Sequence, residues 1–472
     1  MTVDLAGPPM RIAVVGVGGA GMGAIAEVLA GMGHSVVGTD QRESAMTRRL
    51  SELGVEVTIG HDPAAVEGAD LVTASTAISQ GSPDLVAARA AGIPVLRRAE
   101  MLSAICAVRP TIAVAGTHGK TTTTSMLAVG LRGAGEDPSF VIGGEVTQLG
   151  TGARWSAGAD GWFLVEADES DGTFVELPRA AAIVTNVEAD HLEHHGGFEP
   201  LVEAFAGFVA ATPGPVVVCA DDPVAAQLAI DHRSGGSSAA SRVVTYGTAA
   251  DADYSMVEVT PRPDGTRLGI RVPGGEVMYV ELGVPGLHNA RNATAAFAVA
   301  VETGVDSAAM ARGLGTYRGV RRRFETRGDA GGVLFVDDYA HLPTEIEAAV
   351  ATAAGLGRDR VVVVHQPHRY SRTESLWTTF GDCFAEADVL VVTDIYSSGE
   401  APRPGVTGRL IVHAVLDAHP WARVVYLPTL DDVVEHLPGL LRSGDVCLTL
   451  GAGDLTTVPD RLKAALRERG RA

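Results

Sequence analysis

Short apolar runs rich in valine and isoleucine recur along the chain, and each is followed by a stretch rich in alanine and leucine. Apolar runs of this length without polar alternation are typical of strands buried on both faces of a parallel sheet, with helices as the crossovers. The pattern therefore predicts an α/β fold. The predicted strands are residues 11–17, 35–40, 71–75, 111–115, 163–166, 183–186, 216–220, 333–336, 361–364, 389–392, 424–427 and 446–450.

The pattern changes over residues 255–284, where apolar and polar positions alternate between turns that contain proline and glycine. Alternation of this kind predicts an antiparallel meander. At 472 residues the chain is too long for one hydrophobic core. We therefore predict three tandem domains: a Rossmann-like domain at 1–109, a central domain with the added meander at 110–319, and a second Rossmann-like domain at 320–472.

Composition and charge exclude some classes of partner. A formal net charge of −20 argues against a nucleic-acid backbone, but it leaves room for a small anionic substrate in a local cationic pocket. The four cysteines have no paired spacing, and no apolar stretch reaches the roughly 18 residues of a membrane-spanning helix. We therefore expect a cytoplasmic protein without a nucleic-acid or membrane partner.

A glycine-rich loop lies between the strand at 111–115 and a predicted helix at 121–130. Glycines let the backbone approach an anion, and the amides of a helix start point toward it. Lys120 is expected to reach the β- and γ-phosphates of ATP, and a threonine hydroxyl to bind Mg²⁺, as in a domain of the P-loop ATPase type. The predicted ATP-binding residues of the loop are Gly116, Thr117, His118, Gly119, Lys120, Thr121 and Thr122.

Two details bear on the alternative that this loop is a glycine-rich turn with an incidental lysine. The common pattern GxxxxGK[ST] places glycine where this chain has Val114. Of the 37 basic residues, only Lys120 and Lys463 are lysines. A chain that uses arginine almost everywhere thus has a compact, flexible charge where a phosphate would need one.

Acidic residues follow the strand at 163–166, in the sequence EADESD at 166–171. Carboxylates at a strand end beside a phosphate loop are placed to bind Mg²⁺ directly or through water; the alternative is a solvated acidic turn. The strand end after 183–186 carries His191, His194 and His195. Such spacing is compatible with zinc, whereas Mg²⁺ prefers oxygen, so residue chemistry leaves the role of His191 open.

The N-terminal glycine signature GVGGAG at residues 16–21 follows a strand and opens a helix, with Asp40 at the end of the next strand. Taken alone, it is a dinucleotide fingerprint and favours an NAD(P)-dependent oxidoreductase. The same helix terminus can also bind another diphosphate. In the last domain, polar motifs at 337–341, 365–372, 394–396 and 451–454 follow strands, and we expect them to converge on one crevice.

Motifs along nearly the whole chain resemble those of the Mur ligases, in the order of that family. They are GTHGKTTT at 116–123, EADESD at 166–171, TNVEADH at 185–191, GLHNARN at 286–292, GVRRRF at 319–324, DDYAHLP at 337–343 and PHRYSR at 367–372. The family's loop has the form GT-x-GK-x-T, which accounts for Val114. The resemblance implies that ATP phosphorylates a substrate carboxylate, an amine attacks the acyl phosphate, and phosphate leaves.

The motifs are most similar to the branch of the family that attaches L-alanine to UDP-N-acetylmuramate in peptidoglycan synthesis. This implies ATP, L-alanine and UDP-N-acetylmuramate as small-molecule substrates, two Mg²⁺ ions, and a monomer or homodimer. Three alternatives are a murein peptide ligase, which attaches a tripeptide to the same nucleotide sugar, an NAD(P)-dependent oxidoreductase, and a non-catalytic nucleotide-binding partner of a cell-wall enzyme.

The resemblance also implies roles for individual residues, with UDP-sugar bound by 1–109, ATP by 110–319 and the amino acid by 320–472. The implied metal ligands are Thr121, Glu166 and His191. The further implied ATP contacts are His288, Asn289 and Asn292 for adenine, Arg323 for phosphate and Asp337 for ribose. The implied UDP-sugar contacts are Gly16, Gly18, Gly19, Gly21, Asp40, His61 and Ser75. The implied amino-acid contacts are Tyr339, His341, Arg369 and Arg372, the last three of which are also predicted catalytic residues with Lys120.

Simpler interpretations exist for several of these residues. Asn289 is also suited to capping a helix, the arginines at 321–323 to a solvated linker, and His341 to a structural cap instead of the base for the amine proton. Some relatives carry a carbamylated lysine that bridges the two metal ions. The central domain has no lysine except Lys120, so His191 is the candidate that takes its place.

Overall fold

The computed structural model describes residues 3–158, 161–190, 195–234, 242–262 and 265–469. The chain divides into two compact units. The first contains Met1–Val259, Arg267–Gly283 and Ala290–Arg318, and the second contains Thr260–Thr266, Val284–Asn289 and Gly319–Ala472. Three sheets with interleaved helices confirm the predicted α/β class. The predicted bounds of the three domains stay a prediction.

The first sheet lies in the first unit, and all its strands are parallel. They are β1 (Arg11–Val15), β2 (Ser35–Asp40), β3 (Glu56–Ile59), β4 (Leu71–Ala74) and β5 (Val95–Arg97), in the order β3-β2-β1-β4-β5. The connecting helices are α1 (Ala20–Gly31), α2 (Ala45–Glu52), α3 (Pro83–Ala90) and α4 (Arg98–Cys106). Val15 pairs in register with Thr39 and Ala74, so the residues that follow β1, β2 and β4 meet at one edge.

The second sheet continues the alternation of strand and helix. Its described strands are β6 (Thr111–Ala115), β7 (Ser139–Val146), β8 (Thr151–Arg154), β9 (Phe163–Ala167), β10 (Ala181–Val184), β11 (Val216–Cys219), β12 (Val243–Gly247), β13 (Tyr254–Arg262), β14 (Gly265–Arg271) and β15 (Val277–Leu282). Their order is β15-β14-β13-β12-β11-β10-β6-β9-β7-β8. The last three strands in sequence are neighbours at one end of the sheet, where the meander was predicted.

Parallel pairing in the centre of this sheet positions the phosphate loop. Strand β6 is flanked by β9 and β10, both parallel to it. The helices of this region are α5 (Lys120–Gly133), α6 (Phe198–Ala210), α7 (Pro223–Ser234), α8 (Leu287–Glu302) and α9 (Ser307–Leu314). The loops after β6, β9 and β10 therefore share the carboxyl edge of the sheet.

The third sheet lies in the second unit and has one antiparallel edge strand. Its strands are β16 (Glu325–Ala330), β17 (Val333–Asp338), β18 (Arg360–His365), β19 (Val389–Val392), β20 (Val424–Tyr426) and β21 (Asp445–Leu450), in the order β16-β17-β21-β18-β19-β20. Only the β16–β17 pair is antiparallel among these strands. The helices are α10 (Pro343–Ala354), α11 (Tyr370–Leu376), α12 (Arg409–Ala418), α13 (Leu430–His436) and α14 (Val458–Arg469).

Burial accounts for the continuous apolar runs in these strands. Consecutive residues of β18, Val362 and Val363, belong to different hydrophobic clusters, one on each face of the third sheet. A strand covered on both faces needs apolar side chains at every position. Among the described residues, no helix combines the length and apolar character needed to cross a bilayer.

Candidate active site

The loop between β6 and α5 is shaped by two glycines with positive φ. Gly116 has φ of 135° and Gly119 has φ of 82°, a region that side chains other than glycine rarely adopt. A β-carbon at Gly116 would clash with the Thr185 hydroxyl, and one at Gly119 would lie 2.7 Å from Asn292 Oδ1. Thr185 and Asn292 can therefore pack against the loop backbone only because neither glycine has a side chain.

The end of strand β10 holds this loop in place. Asn186 accepts hydrogen bonds from Thr117 N (3.1 Å) through its carbonyl and from His118 N (2.8 Å) through Oδ1. The Thr185 hydroxyl and the Asn186 amide donate to the His118 carbonyl at 2.6 and 3.1 Å. Both residues belong to the sequence motif TNVEADH, but nothing in that motif indicates that they support the loop.

Lys120, the first residue of α5, directs its ammonium group back to the loop. Its Nζ donates to Gly116 O (2.6 Å), to Thr117 O (3.3 Å) and to Glu169 Oε2 (2.6 Å). Burial alone would lower the pKa of Lys120, but the carboxylates of Glu169, Asp168 and Glu166 together raise it. Lys120 is therefore charged, and its three donors are already directed.

The two described residues of the predicted metal set are in contact. Thr121 Oγ1 donates to Glu166 Oε2 at 3.0 Å, and Glu166 Oε1 accepts from Gly143 N at 2.5 Å. A hydroxyl and a carboxylate are hard oxygen ligands of the kind Mg²⁺ prefers, so the pair fits a magnesium ion. His191 and His194 lie outside the described residues. No group of three histidine, cysteine or acidic side chains is arranged to hold a metal within the described part of the chain.

The residues predicted to contact adenine lie on or beside the first turns of α8. Asn292 approaches the phosphate loop at Gly119 and is buried. Asn289 donates from Nδ2 to Pro285 O at 2.7 Å, and His288 Nδ1 lies 3.5 Å from the Thr352 hydroxyl. Asn289 thus donates to a carbonyl four residues earlier, whereas a helix N-cap would accept a hydrogen bond from a backbone N–H. The adenine roles stay predictions.

The N-terminal glycine loop gathers its predicted partners at the edge of the first sheet. Asp40 accepts from Gly18 N (2.9 Å) through Oδ2 and from Arg42 N (3.1 Å) through Oδ1. A β-carbon at Gly16 would lie 3.3 Å from Ser75 Cβ, and one at Gly21 would lie 3.2 Å from Arg98 Nη1. Arg98, which belongs to none of the sequence motifs, also lies 3.7 Å from Asp168 Oδ2.

His61 is held by a carboxylate that the sequence analysis did not single out. Asp84, fully buried in α3, lies 2.6 Å from His61 Nδ1 and accepts from Asp62 N at 2.8 Å through its other oxygen. The other ring nitrogen lies 3.1 Å from Gln41 Nε2. The orientation of the His61 ring at this edge is therefore fixed from both sides.

In the second unit, the Tyr339 ring lies close to two arginines of the motif at 319–324. The guanidinium carbons of Arg322 and Arg323 lie 4.9 and 5.0 Å from the centroid of the Tyr339 ring. Arg322 and Phe324 have φ of 60° and 47°, a strained conformation for residues other than glycine. Strain retained in a packed loop is characteristic of functional segments, and it argues against a solvated linker.

Asp337 and Asp338 follow one another at the end of β17. Asp337 is buried and accepts from the hydroxyls of Thr449 (2.6 Å) and Thr456 (2.7 Å), one on each carboxylate oxygen. Its predicted ribose contact stays a prediction. Asp338 accepts from Phe324 N at 2.6 Å, and burial raises its pKa to about 6, against the opposing charge of Arg323. Asp338 thus fixes the strained loop to the sheet, and Asp337 Oδ2 lies 3.8 Å from Nε of Arg322 in the same loop.

The predicted amino-acid site combines two strand ends of the third sheet. His341 Nδ1 lies 3.1 Å from Tyr339 O and 3.4 Å from Glu345 Oε2. Arg369 has φ of 70°, and Arg372 Nη1 lies 3.0 Å from His368 Nδ1. Within this unit, His368 links two of the predicted residues, because its ring centroid lies 5.5 Å from that of His341 and its Nδ1 contacts Arg372; the role of the set in binding an amino acid stays a prediction.

Comparisons with known sequences identify the class of protein to which this site belongs. Residues 11–109 match the family model described as "Mur ligase family, catalytic domain". Residues 114–300 match the model "Mur ligase middle domain", and residues 322–453 match the model "Mur ligase, glutamate ligase domain". The UDP-N-acetylmuramate–L-alanine ligase of Bradyrhizobium sp. (strain ORS 278) is 44% identical over 464 residues, 95% of this chain and 97% of that protein. The enzyme of the same name from Kineococcus radiotolerans is 46% identical over 465 residues, 97% of each chain.

The solved structures similar in fold include ligases of the same family. The UDP-N-acetylmuramate–alanine ligase of Thermotoga maritima has a TM-score of 0.80 at 27% identity, covering 98% of this chain and 100% of that chain. A murein peptide ligase of Psychrobacter arcticus has a TM-score of 0.68 at 25% identity, covering 97% and 98%. The phosphate loop follows a strand of the second of three sheets. Together with the matching families, relatives and structures, this loop defines an ATP-dependent ligase of peptidoglycan synthesis. The chain belongs to the Mur ligase family, and the oxidoreductase alternative is thereby excluded.

Proposed function

We propose that this protein joins L-alanine to the carboxylate of UDP-N-acetylmuramate at the expense of ATP, in the cytoplasm, through an acyl phosphate. The observation that carries the proposal is the geometry of Lys120, charged and directed into a glycine loop at the start of α5. Relatives 43–46% identical over almost their whole length carry this activity in their names. The four cysteines are free and buried, which suits a reducing compartment.

Lys120 and the loop would act on the transferring phosphoryl group. The amides of the loop and the helix start attract the phosphates, and Lys120 neutralises the charge that moves to the leaving oxygen. Thr121 and Glu166 would hold Mg²⁺, which supplies further positive charge at the phosphates when bound. The second metal ion and its ligand His191 belong to this proposal as predictions.

The proposed reaction consists of two successive substitutions, a phosphoryl transfer and an acyl transfer. A carboxylate oxygen of the sugar substrate bonds to the γ-phosphorus, and the bond between that phosphorus and the oxygen of ADP breaks. The amine nitrogen of L-alanine then bonds to the acyl carbon, and the acyl carbon–oxygen bond to phosphate breaks. The ammonium group of the amino acid must lose a proton before it attacks, and His341 is the proposed acceptor.

Each substrate would meet side chains suited to its charge. The diphosphate of UDP would lie at the N-terminus of α1, beside the glycine loop at 16–21, with His61 and Ser75 at the same edge. The carboxylate of the amino acid would be held by Arg369 and Arg372, because a guanidinium fork matches a carboxylate in two parallel hydrogen bonds. Arg323 and Asp337 keep their predicted roles at the nucleotide.

A phosphate-release assay with omissions tests the proposal. The protein is given ATP, Mg²⁺, UDP-N-acetylmuramate and one amino acid from a panel of L-alanine, glycine and L-serine, and each component is left out in turn. We expect release only with all components present, and fastest with L-alanine. Release without the sugar, or without any amino acid, would contradict ligation.

The same assay separates the murein peptide ligase, which the likeness to the Psychrobacter arcticus structure keeps as a second candidate. The tripeptide L-alanyl-γ-D-glutamyl-meso-diaminopimelate replaces L-alanine in a parallel reaction. If the tripeptide supports faster turnover than L-alanine at equal concentration, the second candidate is correct. A methyl group contributes only about 1–3 kcal/mol of discrimination, so activity with glycine or serine at a reduced rate is compatible with the proposal.

A further inference from the structure

Four aromatic rings form a row across three strand ends of the second unit, those of β17, β18 and β19. Tyr339 meets His341 edge-on with centroids 5.5 Å apart, His341 meets His368 at 5.5 Å, and His368 stacks on Tyr396 at 5.9 Å with an interplanar angle of 10°. The backbones of His368 and Tyr396 also form a β-bridge. The His368 ring is therefore held between two neighbours, and its orientation is fixed.

This fixed ring accepts a hydrogen bond from Arg372. Arg372 Nη1 lies 3.0 Å from His368 Nδ1. Because a guanidinium only donates, Nδ1 is the acceptor and the proton of the neutral ring is on Nε2. Burial first, and then the neighbouring His341, Arg372 and Arg369, lower the pKa of His368 to about 3, while Glu400 acts in the opposite sense. The ring therefore stays neutral at neutral pH and keeps its lone pair for Arg372.

Arg369, the next residue in sequence, shows the marks of a functional position. Its φ of 70° is unusual for a residue other than glycine, and its backbone N–H donates to Tyr396 O at 2.9 Å. Its Nε is buried and has no hydrogen-bond partner in the part of the chain that the structure describes. Buried donors are normally satisfied, so this one indicates a place where an acceptor from a ligand belongs. His368 is thus followed in sequence by an arginine with an unsatisfied donor, and its ring is hydrogen-bonded to a second arginine, Arg372.

We propose that His368 is a positioning residue that aims the guanidinium of Arg372 at the carboxylate of the amino acid and takes no part in proton transfer. The inference rests on the proposed function, in which Arg369 and Arg372 bind that carboxylate. His368 cannot take up the amine proton at Nδ1 without releasing Arg372, because Nδ1 carries the only lone pair of the neutral ring. Its loss therefore weakens amino-acid binding and leaves the phosphoryl step unchanged.

Two substitutions separate the hydrogen bond from the packing of the ring. His368→Asn keeps an acceptor near the position of Nδ1 and removes the ring, whereas His368→Phe keeps the ring and removes the acceptor. His413→Asn, at an exposed position of α12, is the matched control. The KM for L-alanine, the KM for ATP and kcat are measured by phosphate release, and thermal unfolding reports whether each variant folds.

We expect His368→Phe to raise the KM for L-alanine by about tenfold, the effect of one lost hydrogen bond to a charged group. The KM for ATP and kcat should change by less than about twofold, and His368→Asn should retain most of the affinity for L-alanine. The opposite order, with Phe tolerated and Asn damaging, would show that only ring packing matters and would overturn the proposal. If the wild-type protein releases no phosphate with L-alanine, the proposed function fails instead.

A second measurement needs neither turnover nor a folded Phe variant. In a ¹⁵N spectrum of histidine-labelled wild-type protein, assigned with His368→Asn, the His368 signals should show the neutral Nε2–H form throughout about pH 5–8. A ring that titrates in this range, or one protonated on Nδ1, would overturn the proposal whatever the enzyme's activity.

Discussion

Lys120 and Glu169 form an ion pair at the phosphate loop, with 2.6 Å between Nζ and Oε2, and the Glu169 side chain is only 2% exposed. The other two donors of Lys120 are directed to carbonyl oxygens of the loop itself. The two bonds to carbonyl oxygens thus stabilise the conformation of the loop. The third bond joins Lys120 to the Glu169 carboxylate, which occupies the position that a nucleotide phosphate would take beside a lysine of this type. An incoming nucleotide must therefore exchange with Glu169.

This exchange predicts that Glu169 weakens nucleotide binding. Glu169→Gln should tighten the binding of ADP without metal by about tenfold, because a competing hydrogen bond to a charged group is removed. Glu169→Asp keeps the charge but withdraws the carboxylate, and it should tighten binding as well. Isothermal titration calorimetry measures both, with Glu67→Gln at an exposed position as control. Unchanged affinity in both variants would show that Glu169 does not compete with phosphate.

Replacement of Lys120 by arginine should abolish most of the activity. The ammonium group fits between Gly116 O, Thr117 O and Glu169, and a planar guanidinium cannot make the same three contacts. We expect kcat for phosphate release to fall by at least about a hundredfold. Lys463→Arg, at the chain's other lysine, is the matched control and should keep wild-type activity. Comparable activity of the two variants would remove Lys120 from the mechanism.

Two neighbouring threonines of α5 provide a test of the magnesium site. Thr121 Oγ1 contacts Glu166, whereas Thr123 Oγ1 is buried without a hydrogen-bond partner among the described residues. Thr121→Val should raise the Mg²⁺ concentration for half-maximal activity by about tenfold or more. Thr123→Val should leave it unchanged, since it removes a hydroxyl that is not used. Equal effects at both positions would indicate damage to the helix instead of loss of a metal ligand.

His365 should make the protein sensitive to acid. The ring is fully buried between Phe380 and Phe384, and burial lowers its pKa from 6.5 to about 3. The unfolded chain binds the proton more readily than the folded one, so the stabilising effect of the neutral ring is present above pH 6.5 and is lost as pH falls toward 3.

The comparison of wild type with His365→Asn isolates this effect. Between pH 7 and pH 4 the free energy of unfolding of the wild type should fall by about 3 kcal/mol more than that of the variant. Urea unfolding at a series of pH values measures the difference. A constant difference across this range would mean that His365 is not buried in its neutral form.

The sequence predicted the central strands and the loop residues but not the contacts between them. Strands such as Val361–Val364 are apolar at every position and easy to recognise, whereas Glu325–Ala330 is a polar edge strand without such a run and was missed. Lys120 was predicted from its motif. Its partner Glu169 was named only as part of an acidic run, because a pairing across 49 residues depends on the sheet that brings the two loops together.

The same limit applies to the supports of the site. Asp84 lies 23 residues from His61, and Asn186 lies 68 residues from His118. No periodicity or spacing links such residues, and only the common carboxyl edge of parallel strands places them side by side. Motifs predict which residues would touch substrate, and those predictions stay untested, whereas the residues that orient them are found only from the fold.

The most direct test of ligation through an acyl phosphate follows one oxygen atom. UDP-N-acetylmuramate labelled with ¹⁸O in its carboxylate is incubated with the protein, ATP, Mg²⁺ and L-alanine, and mass spectrometry is applied to the released phosphate and the nucleotide product. We expect an alanine adduct of the nucleotide sugar, and one ¹⁸O transferred to phosphate for each adduct formed. An adduct with unlabelled phosphate, or labelled substrate recovered without any adduct while ATP is consumed, would contradict ligation through an acyl phosphate.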